Sequence, residues 1–143
     1  MITKVFFSLI AAMTLTISVQ AADSKSSAAA PAAKVSILEP ANGATVPATF
    51  TVKFGATGVS IVPAGVNQEN SGHHHLLIDT ETLPDLHLPL PTTDKVIHFG
   101  KGQTETQLTL TPGKHTLQLV LGNYAHIPGA TPVISEKITV TVK

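Results

Sequence analysis

The chain contains no cysteine, no tryptophan and no arginine, and only 4% of its 143 residues are aromatic. Without cysteine there is no disulfide framework, no thiolate site for copper or zinc, and no attachment point for a lipoprotein anchor. Without arginine the chain lacks the planar fork that grips phosphate and carboxylate, and a twin-arginine export signal is excluded. So few aromatics leave little on which sugars or bases could stack. The formal net charge is zero, which removes the electrostatic case for nucleic acid. What remains is 43% hydrophobic and 13% charged, a balance that favours a compact fold over disorder. The length suffices for one core that needs no covalent staples.

The N-terminus carries the first positive signal. Lys4 precedes an apolar run over residues 5–19, followed by Gln20, Ala21 and Ala22. That is the order of a secretory signal peptide, and it places the cut after Ala21. The run is shorter than the roughly 20 apolar residues a spanning helix needs. The expectation is a periplasmic or secreted protein with no membrane anchor after cleavage. Residues 22–34 are rich in alanine and serine and read as a disordered leader. Residues 35–143 then form one domain.

From Val35 onward, short apolar runs of period two alternate with Gly, Pro and Asn. Strands are expected over residues 35–38, 50–54, 73–80, 95–99, 105–110, 115–121 and 134–142. Leu76, Leu77 and Ile78 are apolar on both faces, so the third strand should be central. Pro84, Pro89 and Pro91 exclude a central strand over residues 81–94 and mark a long loop. Seven short strands with regular turn signals predict an all-β, immunoglobulin-like antiparallel β-sandwich. The same count permits a small barrel.

Seven histidines are the most informative feature, and none lies in the signal segment. In a strand, alternate side chains share a face. His73 and His75 therefore point one way, and His74 points the other way with Leu76 and Ile78. If successive strands run antiparallel, His73 and His75 open the third strand where the fourth ends at His98. His126 follows the sixth strand at the same end. These four imidazoles form the candidate metal site, and imidazole suits copper(II) and zinc. The only methionines, Met1 and Met13, lie in the signal. No thioether remains for copper(I), which points to Cu(II) or Zn. The other polar residues have plainer readings. His74 reads as a core or rim residue, His115 as a buried hydrogen-bonded histidine near Asp79, and His87 as solvated. Glu136 shares the inward parity of Ile134 and Ile138, and reads as sitting outside the core at the start of its strand.

Residues 71–79, 98–105, 110–119, 126–128 and 135–138, in that order after the turn at residues 39–43, resemble the bacterial domain-of-unknown-function family 4399. The resemblance spans residues 35–142. It implies a single exported domain and assigns no chemistry. There is no Ser-His-Asp arrangement, no pair of catalytic carboxylates and no phosphate loop, so an enzyme is not expected. Two functions stay open: a periplasmic domain that binds a transition metal, and a non-catalytic interaction module of the cell envelope whose histidines are structural.

Overall fold

The computed structural model describes residues 29–143. The expected signal peptide and most of the leader lie outside the described residues. Nine strands are present among the latter: β1 Lys34–Glu39, β2 Thr45–Val46, β3 Thr49–Thr57, β4 Ser60–Ile61, β5 Ser71–Ile78, β6 Val96–His98, β7 Glu105–Thr109, β8 Gly113–Gly122 and β9 Ile138–Val142. They form two sheets. The smaller has the order β1-β3-β7. The larger runs β2-β9-β8-β5, with β4 and β6 both lying along the far side of β5. The immunoglobulin-like sandwich expected from the turn spacing is what the chain builds. Its seven principal strands all pair antiparallel, and no helix occurs among the described residues.

Two strands escaped the sequence reading. β2 and β4 have two residues each, too short to show a period. Both pair parallel at sheet edges, β2 with β9 and β4 with β5.

Alternation puts Phe50, Val52 and Phe54 of β3 against Leu76 and Ile78 of β5 and Leu117, Leu119 and Leu121 of β8. Val35, Val46, Phe99, Leu108, Ile138, Val140 and Val142 complete the buried residues of this inner core. Burying each such side chain contributes about 1.5–3 kcal/mol. A second, smaller cluster lies on the outer face of the larger sheet. There Leu77, Val96 and Val120 are covered by Leu86 and Leu90, from the proline-rich stretch that the sequence marked as a loop. Strand β5 is thus buried on both faces from Gly72 to Ile78.

The last expected strand needs correction. Residues 134–142 are not continuous. Ile134 bridges Val120 and packs into the outer cluster, whereas Ile138 opens β9 and packs into the inner core. The break is made by Ser135, whose hydroxyl accepts from the Leu119 N–H and donates to the Glu136 carbonyl. The inserted residues shift the parity, and Glu136 is exposed, in keeping with its plainer reading.

At the end of β5 away from the histidine run, Asp79 holds His115. The Asp79 carboxylate is 2.7 Å from His115 Nδ1 and also accepts from the Thr116 N–H. His115 Nε2 lies 2.8 Å from the Thr111 carbonyl. Both acceptors lack protons, so the doubly protonated imidazolium satisfies them together. The hydrogen bond to Asp79 raises the His115 pKa above its usual 6.5, against the opposing effect of burial. For Asp79, burial pushes the carboxyl up, but the hydrogen bonds from His115 and Thr116 outweigh it and hold the group below 3.8. The His115 contribution is complete below pH 6.5 and lost as pH rises through its folded value. The Asp79 contribution is complete above pH 3.8 and lost as pH falls through its folded value. Asp79→Asn keeps the backbone acceptor and tolerates the left-handed φ of 51°. It should cost about 1–2 kcal/mol near pH 5.5, and the difference should shrink in urea denaturation as pH rises and His115 loses its proton.

Candidate metal centre

The histidines converge because of strand register. In the pairing of β5 with β6, His75 stands directly opposite His98. Directly opposed residues share a face, so His98 joins His73 and His75 on the outer side of the larger sheet. In the pairing of β5 with β8, the residue opposite His73 is Gly122. A Cβ on Gly122 would stand 2.7 Å from His75 Cε1 and 3.2 Å from the His126 backbone. A Cβ on Gly100 would collide with the edge of the His98 ring, 2.7 Å from Nε2. The two glycines leave the space that the imidazoles fill.

His126 arrives from the loop between β8 and β9, and its placement is over-determined. The Asn123 side chain accepts from the Ala125 and Ile127 N–H groups at 2.9 and 3.1 Å. The Asn123 N–H donates to the Ile127 carbonyl, and its carbonyl accepts from the His126 N–H at 2.8 Å. The Leu90 N–H, from the proline-rich loop, donates to the His126 carbonyl at 2.9 Å. So held, His126 adopts φ of 65°. A non-glycine residue there carries strain of about 1–3 kcal/mol and belongs to the class that clusters at functional sites.

His73, His75, His98 and His126 each offer a ring nitrogen, and the four lie within 4.8 Å of one another. These are the four residues expected from the sequence. They gather where β5 begins and β6 and β8 end, as the antiparallel argument required. His73 and His75 are fully buried, and His98 and His126 are half-buried. The ring centroids of His73, His75 and His98 form a near-equilateral triangle with sides of 4.8, 4.9 and 5.1 Å. His126 caps it at 4.9, 5.9 and 4.7 Å. An ion bonded at about 2.05 Å to four imidazole nitrogens would set tetrahedral centroid separations of roughly 5.2 Å. The ring cage has that shape and size.

Polar satisfaction inside the cage is poor. His73 Nε2 lies 3.0 Å from His126 Nδ1, one ring donating to the other. His73 Nδ1, both nitrogens of His75 and His98 Nε2 are buried with no hydrogen-bond partner. Such groups cost about 1–3 kcal/mol each when left unpaired. His74 lies on the opposite face, as its parity required. It is buried in the inner core, with its ring centroid 5.1 Å from that of Phe54 and both nitrogens unpartnered. His115 sits at the other end of the sheet with Asp79, and His87 is exposed in the proline-rich loop.

Burial pushes the His73 pKa down to about 4, helped by the neighbouring His98, His126 and His74 rings. Burial, helped by the His73, His98 and His126 rings and opposed by the His73 backbone, pushes His75 to about 3, and burial alone takes His74 to about 4. His98 is lowered too, by burial and by His126. His73, His75 and His98 therefore stay neutral further into acid than free imidazole does. The sequence reading named the four histidines of the cage and missed Gly100, Gly122 and Asn123. Each of these stands within four residues of a cage histidine, and an Asn at the start of a turn is a recognisable signal.

These depressed values set an acid limit on folding. Below pH 6.5 the unfolded chain takes up protons that His73, His74 and His75 refuse, so stability must fall with pH until it reaches their folded values near 3–4. The slope is at most about 1.4 kcal/mol per pH unit for each ring. The urea midpoint of metal-free protein should drop steeply from pH 7 to pH 5. A flat profile would show that these rings are not buried in neutral form.

No curated protein matches the chain. Among solved structures, the fibronectin(III)-like modules of Clostridium thermocellum CbhA are similar, at 14% identity over 76% of this chain and 95% of that one, with a TM-score of 0.39. The sandwich assignment stands on the strand order and pairing described above. The family named Domain of unknown function (DUF4399) matches residues 52–143, which hold all four cage histidines and more than half of the chain. The chain therefore belongs to domain-of-unknown-function family 4399.

Proposed function

We propose that this domain binds one transition-metal ion, zinc or copper, through His73, His75, His98 and His126, and that it does so as a non-catalytic domain outside the cytoplasm. The supporting observation is the cage itself: four imidazole donors within 4.8 Å, with four buried ring nitrogens that nothing else satisfies. A purely structural role suits these rings poorly. Buried polar groups are usually hydrogen-bonded, and His75 has no partner at either nitrogen; His74 is unpartnered too, but only the four cage rings converge on one another. The rings close on one another too tightly for an organic ligand, so an ion is the occupant that fits.

A metal would be held by two rings fixed on β5, one on the end of β6 and one on a braced loop. Export rests on the N-terminal segment. Protein recovered from the cell envelope should begin at Ala22, and intact mass measures this directly. A full-length N-terminus in that fraction would count against cleavage.

Metal-free, untagged protein should take up one equivalent of Zn(II) or Cu(II) at pH 7.5 in a calorimetric titration. The His73→Ala/His75→Ala variant should take up none. Gly100→Ala separates the site from the fold. Gly100 has no left-handed φ, so alanine disturbs only the His98 ring. The variant should keep its circular dichroism and lose roughly 10- to 100-fold in affinity, the usual size of an effect on ligand orientation. Equal uptake by all three proteins would reject the site.

A further inference from the structure

Which ion the cage prefers follows from its shape and its charge, and the inference rests on the metal-binding reading above. Imidazole is a borderline donor that accepts copper, zinc and nickel alike, so the donor type does not choose. Shape does. A square arrangement of four imidazoles around one ion has both diagonals at roughly 6.4 Å between centroids. In the cage the longest separation is His75 to His126 at 5.9 Å, and the opposite pair, His73 to His98, stands at 4.9 Å. Three rings rise from adjacent strands of one sheet face and the fourth sits over them. That is a tetrahedron. Copper(II) and nickel(II) favour square or tetragonal coordination. Zinc and copper(I), with filled d shells, accept a tetrahedron freely.

Charge separates those two. All four donors are neutral. No carboxylate belongs to the cluster among the described residues, and the charges acting on His73, His75 and His98 are those of other imidazoles. His73 and His75 are at most 1% exposed. The cost of taking an ion out of water rises with the square of its charge. A divalent ion therefore costs about four times what a monovalent one does, and no anionic group offsets it.

We propose that the site selects copper(I), held tetrahedrally by four neutral imidazoles, over zinc and copper(II). The absence of methionine from residues 22–143 does not count against it, because geometry and charge make the selection here without a soft sulfur donor.

Metal-free protein would be titrated anaerobically with Cu(I) buffered by bicinchoninate, with Zn(II) against a chromogenic chelator, and with Cu(II) in air. Cu(I) should bind one equivalent, at least about 100-fold more tightly than Zn(II), and should resist a tenfold excess of zinc. Zinc displacing Cu(I) at parity, or tighter Cu(II) with a tetragonal electron paramagnetic resonance spectrum, would overturn copper(I) selection and leave metal binding standing. No uptake of any of the three would overturn both. The charge argument has its own variant. In His126→Asp a carboxylate oxygen takes the place of Nδ1, and aspartate tolerates the left-handed backbone. The Cu(I)-to-Zn(II) affinity ratio should fall at least tenfold in that variant. An unchanged or higher ratio would overturn the charge argument.

Discussion

Strand β5 is the constraint on which the rest of the structure depends. Both of its faces are covered, one by the inner core and one by the loops that close over the larger sheet. A strand with one face in water could have set His73 and His75 in solvent as ordinary surface residues. Here the outer face is sealed by Leu86 and Leu90 below and by His126 above. The imidazoles are thereby forced into one another's company with no carboxylate among them, His73 and His75 shut away from water and His98 and His126 partly open to it. The depressed pKa values, the unpartnered nitrogens and the tetrahedral cage are three consequences of that one burial.

Register does the remaining work, and it tolerates no slip. A shift of one residue between β5 and either neighbour would turn every side chain to the other face. His98 would then leave His75, and Gly122 would no longer clear the space beside it. The inner core guards against that slip. Leu76 and Ile78 on β5 and Leu117, Leu119 and Leu121 on β8 must all face Phe50, Val52 and Phe54 of β3. The Asp79–His115 pair fastens the far end of the same two strands. Parts of the fold remote from the cage thus fix its geometry.

Much of this was legible in the sequence because it depends on parity and strand direction, which alternation encodes. The opposite facing of His73 and His74, the gathering of His98 and His126 and the nearness of His115 to Asp79 all follow from counting along strands. Three things were not legible. β2 and β4 are set by backbone pairing at sheet edges and show no period. The outward turn of Ile134 depends on Ser135 substituting its hydroxyl for a ladder partner, which alternation conceals. The shape of the cage depends on the height of a loop above a sheet. That height is fixed by Asn123 and by the Leu90 hydrogen bond to His126, a contact between loops far apart in the chain.

The cage also explains a tension in the stability of the domain. Unpartnered buried nitrogens and a histidine at positive φ are local costs that the hydrophobic core must offset, and a sequence selected for stability alone would place leucine or valine at these positions. A ligand that binds only the folded state returns stability in proportion to the logarithm of its concentration over its dissociation constant. An ion bound to His73, His75, His98 and His126 would take one lone pair from each ring, satisfy one of the two unpartnered nitrogens of His75 and make use of the strained His126 backbone. Metal binding and folding are then coupled through the same four side chains. His74, buried with no partner on the face where no ion can reach it, keeps its cost in either state.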